Sequence, residues 1–219
     1  MAIDYTKRPP EQQPPSGEQP STSKVTLTKA APAVSLTKSG GGTGILRVNL
    51  NWNARPAGGG GFFRRPQPLD LDLGCLYEFA DGSKGVVQAL GNAFTAALPG
   101  APQPVIWLDG DDRSGSSADG ENLFVDLRYT DRIRRVLVFA LIYEGAANWA
   151  AAQGVVTLFP VQGPQVQVHL DEPRDGARIC AIAMLTGGAD LTVQREVRYI
   201  DGAQRALDAA YGWGMNWTP

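Results

Sequence analysis

The 219 residues suffice for one domain of ordinary size plus an appendage, and 43% hydrophobic against 19% charged residues is an ordinary globular balance. With 20 Lys and Arg against 22 Asp and Glu the charge is nearly neutral, which argues against a dedicated nucleic-acid binder and its basic excess. No secretory signal is read over residues 1–6, and the longest apolar run, 136–143, is far shorter than the roughly 20 residues of a membrane span. A cytoplasmic location with no transmembrane segment is therefore expected, with Cys75 and Cys180 as buried thiols rather than a disulfide.

Taken in chain order, residues 1–33 read as a disordered tail. Pro9, Pro10, Pro14, Pro15, Pro20 and Pro32 stand among Gln, Glu, Ser and Thr, with too few large apolar groups to offset the entropy of ordering. Within and just after it Val25-Thr26-Leu27-Thr28-Lys29 recurs nine residues on as Val34-Ser35-Leu36-Thr37-Lys38, both copies with the period of a strand. The pair reads either as two short edge strands or as a disordered lead-in to one true strand, and the second copy is the expected start of the domain, which then spans 34–219. Strands are expected over 45–52, 69–79, 121–127, 136–143, 155–159, 166–170, 179–185 and 191–200. The uninterrupted apolar run 136–143 predicts a central strand buried on both faces. Helix is expected only over 145–153 and 203–211, with Leu207, Ala210 and Tyr211 on one face. Short strands separated by Gly, Pro and Asp turns make the chain all-β, a sandwich or barrel of strands with one or two short helices. Arg128, Arg132, Arg134 and Arg135, interrupted by Asp126 and Asp131, read as a solvated face. The closing cluster Tyr211, Trp213, Met215 and Trp217 reads as a cap on the core, with a stacking platform as the alternative.

Two acidic segments carry the chemistry. In Leu69-Asp70-Leu71-Asp72-Leu73 a strand turns the leucines to one face and both aspartates to the other, about 6.6 Å apart. Like charges that close repel unless a cation neutralises them, and Asp is a poor strand former. In Trp107-Leu108-Asp109-Gly110-Asp111-Asp112-Arg113-Ser114-Gly115 and on through Asp119 and Gly120 to Glu121, carboxylates gather on a glycine-rich loop between apolar segments. Hard oxygens on such a loop are what calcium requires; magnesium keeps its waters, and a single histidine, His169, leaves little for zinc. The loop is not an EF-hand, because its terminal acid, Glu121, falls at position 13 counted from Asp109. A solvated turn has the same composition, so the residues alone leave metal binding open.

The order Val34-Ser35-Leu36-Thr37-Lys38, a strand ending near Trp52, Asp70-Leu71-Asp72 and an acidic Gly-Asp loop resembles the TerD-type tellurium-resistance family. The wording of residues 70–75, Val87-Gln88-Ala89-Leu90-Gly91-Asn92, residues 108–115, Gly120-Glu121-Asn122 and the close Tyr211-Gly212-Trp213-Gly214 is similar to its TerA branch. The resemblance covers roughly residues 34–217. It implies a sandwich of two β-sheets with calcium held by acidic loops at one end. It also implies a place in a bacterial response to tellurite and other stresses, alongside partner proteins of the same cluster at the inner membrane surface. The ligands it implies are Asp70, Asp72, Asp109, Asp111, Asp112, Asp119 and Glu121. Typical members end this loop in consecutive acids, whereas here Gly120 separates Asp119 from Glu121.

Enzyme readings find little support. His169 lies on the polar side of the alternating Val166-Gln167-Val168-His169-Leu170-Asp171, Gly115-Ser116-Ser117-Ala118-Asp119 is not a nucleophile elbow, and Gly40-Gly41-Gly42-Thr43-Gly44 lacks the Lys of a P-loop. The rival class is a calcium-dependent sandwich that binds carbohydrate or lipid head groups. Phe62, Phe63, Arg64 and Arg65 beside Gly58 to Gly61 suit a partner surface or an anionic membrane in that case, or the two Phe side chains tuck into the core.

Overall fold

The computed structural model describes residues 23–36, 44–53, 69–109, 120–145 and 148–217. Its strands, in chain order, are β1 (Lys24–Thr26), β2 (Ala33–Ser35), β3 (Ile45–Asn51), β4 (Asp70–Phe79), β5 (Lys84–Val87), β6 (Thr95–Ala96), β7 (Ile106–Leu108), β8 (Glu121–Asp126), β9 (Ile133–Glu144), β10 (Gly154–Phe159), β11 (Gln165–Leu170), β12 (Ile179–Thr186) and β13 (Thr192–Ile200). They form a seven-stranded sheet ordered β1-β11-β10-β3-β8-β7-β6 and a six-stranded sheet ordered β2-β13-β12-β9-β4-β5. The β1–β11 pair is parallel and the other pairings are antiparallel. This is the expected all-β sandwich of two sheets.

Alternation sets the inner faces. Leu46, Val48 and Leu50 of β3, Leu123 and Val125 of β8, and Val166, Val168 and Leu170 of β11 meet Leu71 and Leu73 of β4, Val136, Val138, Ala140 and Ile142 of β9, and Ile182 of β12 in one core. β9 then explains its uninterrupted apolar run. Its other face, Leu137, Phe139 and Leu141, belongs to a second core with Leu76, Ile179, Ala181 and Ile200, covered by Leu207 of helix α2 (Gln204–Tyr211) and by Trp213. The six-stranded sheet is thus a middle layer, apolar on both faces where the C-terminal segment lies over it.

Both copies of the repeat are strands. β1 joins the edge of one sheet through Lys24↔Gln165 to Thr26↔Gln167, and β2 joins the edge of the other through Thr192↔Ser35 to Gln194↔Ala33. Each copy then drops its leucine, Leu27 or Leu36, into the common core, with its backbone N–H bonded to Gln167 O or Leu191 O at 2.9 Å. The sandwich therefore includes residues ahead of the boundary expected at 33/34, because the first copy has a strand edge to pair with; residues 1–22 lie outside the described residues. The helix expected over 145–153 is only Trp149–Ala152 (α1), capped by the Asn148 side chain accepting from Ala151 N at 2.8 Å. Buried Trp149, whose indole donates to Ala177 O at 2.7 Å, anchors that turn, and β10 begins two residues past its end. β5, β6 and β7 are too short to show a period in sequence. Cys75 and Cys180 are buried free thiols, and burial pushes both well above the ordinary thiol range.

The C-terminal segment is fastened by charge as well as by apolar contact. After α2, Gly212 takes the left-handed conformation at φ 60° and the chain turns back. Asp208, only 6% exposed, accepts from Gly214 N and Met215 N at 2.9 Å and from Trp217 Nε1 at 3.0 Å. Trp213 donates to Tyr77 O at 3.1 Å and lies under the Arg135 guanidinium, 3.8 Å from the ring centre. Arg135 and Arg134 pair in turn with buried Glu78 at 2.7 and 2.8 Å. Arg135 is therefore a clamp on the C-terminal segment rather than part of a solvated face, whereas Arg128 is mostly exposed and pairs with Asp126.

Burial alone would raise the Asp208 carboxyl, but the hydrogen bonds from Met215, Gly214 and Trp217 and the Lys84 charge outweigh it and hold it below the usual carboxylate range. A carboxylate depressed on folding stabilises the fold above its unfolded pKa of about 3.9, and that contribution is lost as pH falls through the folded value. Asp208→Ala is expected to lower unfolding free energy by about 2–3 kcal/mol in denaturant titrations at pH 7. Between pH 5 and 3 the stability of Asp208→Asn should fall less steeply than that of the wild type.

Candidate functional site

The strand that β4 makes of residues 70–79 places Leu71 and Leu73 in the core and sends Asp70 and Asp72 to the outer face of the middle sheet, as the alternation predicts. There the two aspartates line a cleft of about 250 Å³ with Ala89, Leu90, Gly91, Asn92 and Tyr143. Asp72 is only 8% exposed, an unusual degree of burial for an aspartate on the outside of a sheet. The opposite wall is the single helical turn Leu90–Asn92, in which Gly91 and Asn92 take positive φ of 74° and 56°. The Gln88 side chain ties this turn down by donating to Leu90 O at 3.1 Å, and it accepts in turn from Gln204 of α2 at 2.9 Å. The cleft wall is thereby connected to the C-terminal helix.

The remaining expected residues divide. Asp109, at the end of β7, and Glu121, at the start of β8, lie at the same end of the sandwich as Asp70 and Asp72, but on the seven-stranded sheet. Glu121 is 4% exposed and spans the two sheets, its Oε2 accepting from Leu73 N at 2.5 Å. That bond satisfies a backbone donor of β4 one residue past Asp72, where β5, which pairs from Cys75 onward, no longer covers the edge. Asp109 accepts from Asn122 Nδ2 at 2.9 Å, and Asn122 Oδ1 accepts from Asn49 at 3.0 Å and Arg47 at 3.2 Å. Asp111, Asp112 and Asp119 lie outside the described residues. Gly120, which leads into β8, sits at φ 64° so close to the chain that an added Cβ would meet Leu50 O at 2.1 Å; only glycine fits there. This accounts physically for the glycine that separates Asp119 from Glu121.

As a calcium site, the cleft has the right kind of donor and too few of them on its own. Two carboxylates and the Asn92 amide are hard oxygen ligands, but calcium takes six to eight oxygens. Among the described residues no three or more His, Cys, Asp or Glu side chains are gathered closely enough to hold an ion. Asn92 and Tyr143 were not among the residues that the sequence singles out. The segment 87–92 enters the sequence reading only as family wording, and nothing in its spacing from Asp70 shows that it folds over the aspartates. His169 is exposed on β11. Among the described residues no helix is long and apolar enough to cross a membrane, which says nothing of a β-barrel.

No family model matches the chain. It is 42% identical over 202 residues to the tellurium resistance protein TerA of an Alcaligenes species, an alignment that takes in 90% of this chain and 58% of that protein. The chain thus spans somewhat more than half the length of its curated relative. The fold is similar to the crystal structure of a homologue of telluride resistance protein (TerD) from Streptomyces coelicolor, with a TM-score of 0.55 and 22% identity, covering 80% of this chain and 99% of that one. At that identity the likeness speaks for the sandwich alone.

Removing the Glu121 carboxylate leaves Leu73 N without its acceptor under a buried edge. Glu121→Ala is expected to cost about 2–3 kcal/mol in denaturant unfolding with calcium chelated throughout, a loss independent of any metal.

Proposed function

We propose that this chain, 42% identical over 202 residues to a TerA protein and similar in fold to a TerD homologue, belongs to the TerD-like tellurium-resistance family as a non-enzymatic, calcium-binding sandwich serving a bacterial response to tellurite and related stresses. The observation that carries the calcium reading is the Asp70–Asp72 pair, two carboxylates side by side on one strand face, with Asp72 nearly buried in a cleft. Side-by-side carboxylates raise each other's pKa and destabilise the charged state unless a cation shares them. Bound calcium would supply the charge that relieves this repulsion and would accept further oxygens from the acids of 109–121. In this reading Asp70 and Asp72 hold the ion from the middle sheet. Asp109, Asp111, Asp112 and Asp119 approach from the other sheet and its loop, and Glu121 fixes the β4 edge beneath them. The acidic end then becomes a surface that partner proteins of the response recognise at the inner face of the membrane. Catalysis has no part in it.

Thermal unfolding of chelated protein against added calcium, with magnesium as the control, tests the reading. Ligand at about 100 times its Kd stabilises by about 2.7 kcal/mol, which is roughly five to eleven degrees for a domain of this size. A calcium-selective rise that is lost in Asp72→Asn is expected. No shift at millimolar calcium would leave the acids without a role in binding an ion and remove the proposal.

A further inference from the structure

The outer face of the seven-stranded sheet carries a row of side chains that the function above does not use. Across neighbouring strands the register pairs Thr95 with Trp107, Trp107 with Phe124, Phe124 with Arg47, and Arg47 with Phe159. All five alternate with core residues and point away from the sandwich. The Trp107 and Phe124 rings stack at 5.2 Å with planes 14° apart, and the Arg47 guanidinium lies 4.0 Å from the Phe159 ring centre. Cross-strand neighbours that stack on each other stand up from the sheet, so they offer ridges and slots rather than flat faces. Beside Trp107 opens a depression of about 430 Å³, with Gln103, Pro104 and Arg128 in its lining. On this face the rings of Trp107, Phe124 and Phe159 are half-buried, whereas α2 and the C-terminal aromatics cover the other sheet.

Edge-on aromatics with slots between them suit a polyproline II segment, whose pyrrolidine rings drop between ridges at little entropic cost, whereas a sugar or base stacks on an exposed ring face. We propose that this row is a docking surface for a proline-rich peptide, and that its occupant is this chain's own Pro9-Pro10-Glu11-Gln12-Gln13-Pro14-Pro15. The geometry of the strand that follows it favours this occupant. Gln165 N donates to Ser23 O at 3.0 Å, and Lys24 pairs with Gln165, which lies one step beyond the Leu158↔Val166 pair and so next to Phe159 in the same transverse row. The proline-rich stretch therefore joins the sheet at one end of the aromatic row. Trp107 lies five strands from β1, about 24 Å at the usual strand spacing. The eight residue steps between Pro15 and Ser23 can reach about 25 Å at the rise of about 3.1 Å per residue of an extended chain, enough to bring Pro15 to Trp107.

The test is the indole N–H resonance of Trp107 in the full chain, identified by its loss in Trp107→Phe. It is compared with a variant in which Pro9, Pro10, Pro14 and Pro15 are replaced by Ala, changes outside the sandwich that leave its core intact. The resonance is expected to move in the variant. It should return toward its wild-type position when a peptide of residues 7–17 is added at millimolar concentration, and a peptide with the same four replacements should have no effect. The wild-type position should be unchanged on dilution, as a tethered segment requires. An indole resonance identical in wild type and variant overturns docking. A wild-type resonance that moves on dilution overturns the intramolecular assignment in favour of a second copy, and recovery with the replaced peptide overturns recognition of proline.

Discussion

Everything else in this molecule depends on the two-sided burial of β9 and its neighbours. One face, Val136, Val138, Ala140 and Ile142, fills the space between the sheets; the other, Leu137, Phe139 and Leu141, demands a cover of its own. The chain provides that cover last, with α2 and the turn after it. Apolar contact alone would leave a short helix free to slide over a flat sheet. Polar links give it one position: Arg135 between Glu78 and the Trp213 ring, Lys84 on Trp213 O at 2.5 Å, and Asp208 gathering three donors of the returning chain. A buried carboxylate that satisfies three donors is costly to mismatch, and such groups specify one arrangement where apolar packing tolerates several.

The same arrangement decides where the candidate site lies. On the outer face of the middle sheet, the helix covers the central region and the leading end of β4 is left to Asp70 and Asp72. Gln204 of α2, through Gln88, holds the turn Leu90–Asn92 that walls the cleft. The cover of the second core and the wall of the acidic cleft are therefore parts of one polar chain. Glu121 adds a link from the other sheet to the β4 backbone just past Asp72. The acidic end is thus held in place from both sheets, as a site that takes a charged ligand without distortion requires.

The repeat in residues 25–29 and 34–38 has a simple physical meaning in the fold. A sandwich has free edges on each sheet, and a short strand followed by a leucine closes one edge and seals the core beneath it. Using the same segment twice places one copy on each sheet, with the intervening residues crossing between them. The first copy has little apolar content of its own, so its order comes from the partner strand β11 and not from its own composition.

Alternation by itself determined most of the strands, the inward leucines and outward aspartates of 69–73 and the surface position of His169, because these follow from the direction in which consecutive side chains leave a pleated backbone; the uninterrupted apolar run 136–143 determined its double burial, because no face of it is polar. Strands β5 to β7, of two to four residues, were not legible, because too few residues carry a period and pairing with a neighbour makes them; β1 carried the period but was one of two open readings of the repeat, and its pairing with β11 decided between them. Only the tertiary structure decided that Arg135 clamps Trp213, that Glu121 reaches the β4 edge, and that 89–92 and Tyr143 share a cleft with Asp70 and Asp72. These contacts join residues that are far apart in the chain, and nothing local in the sequence records distances that folding alone creates.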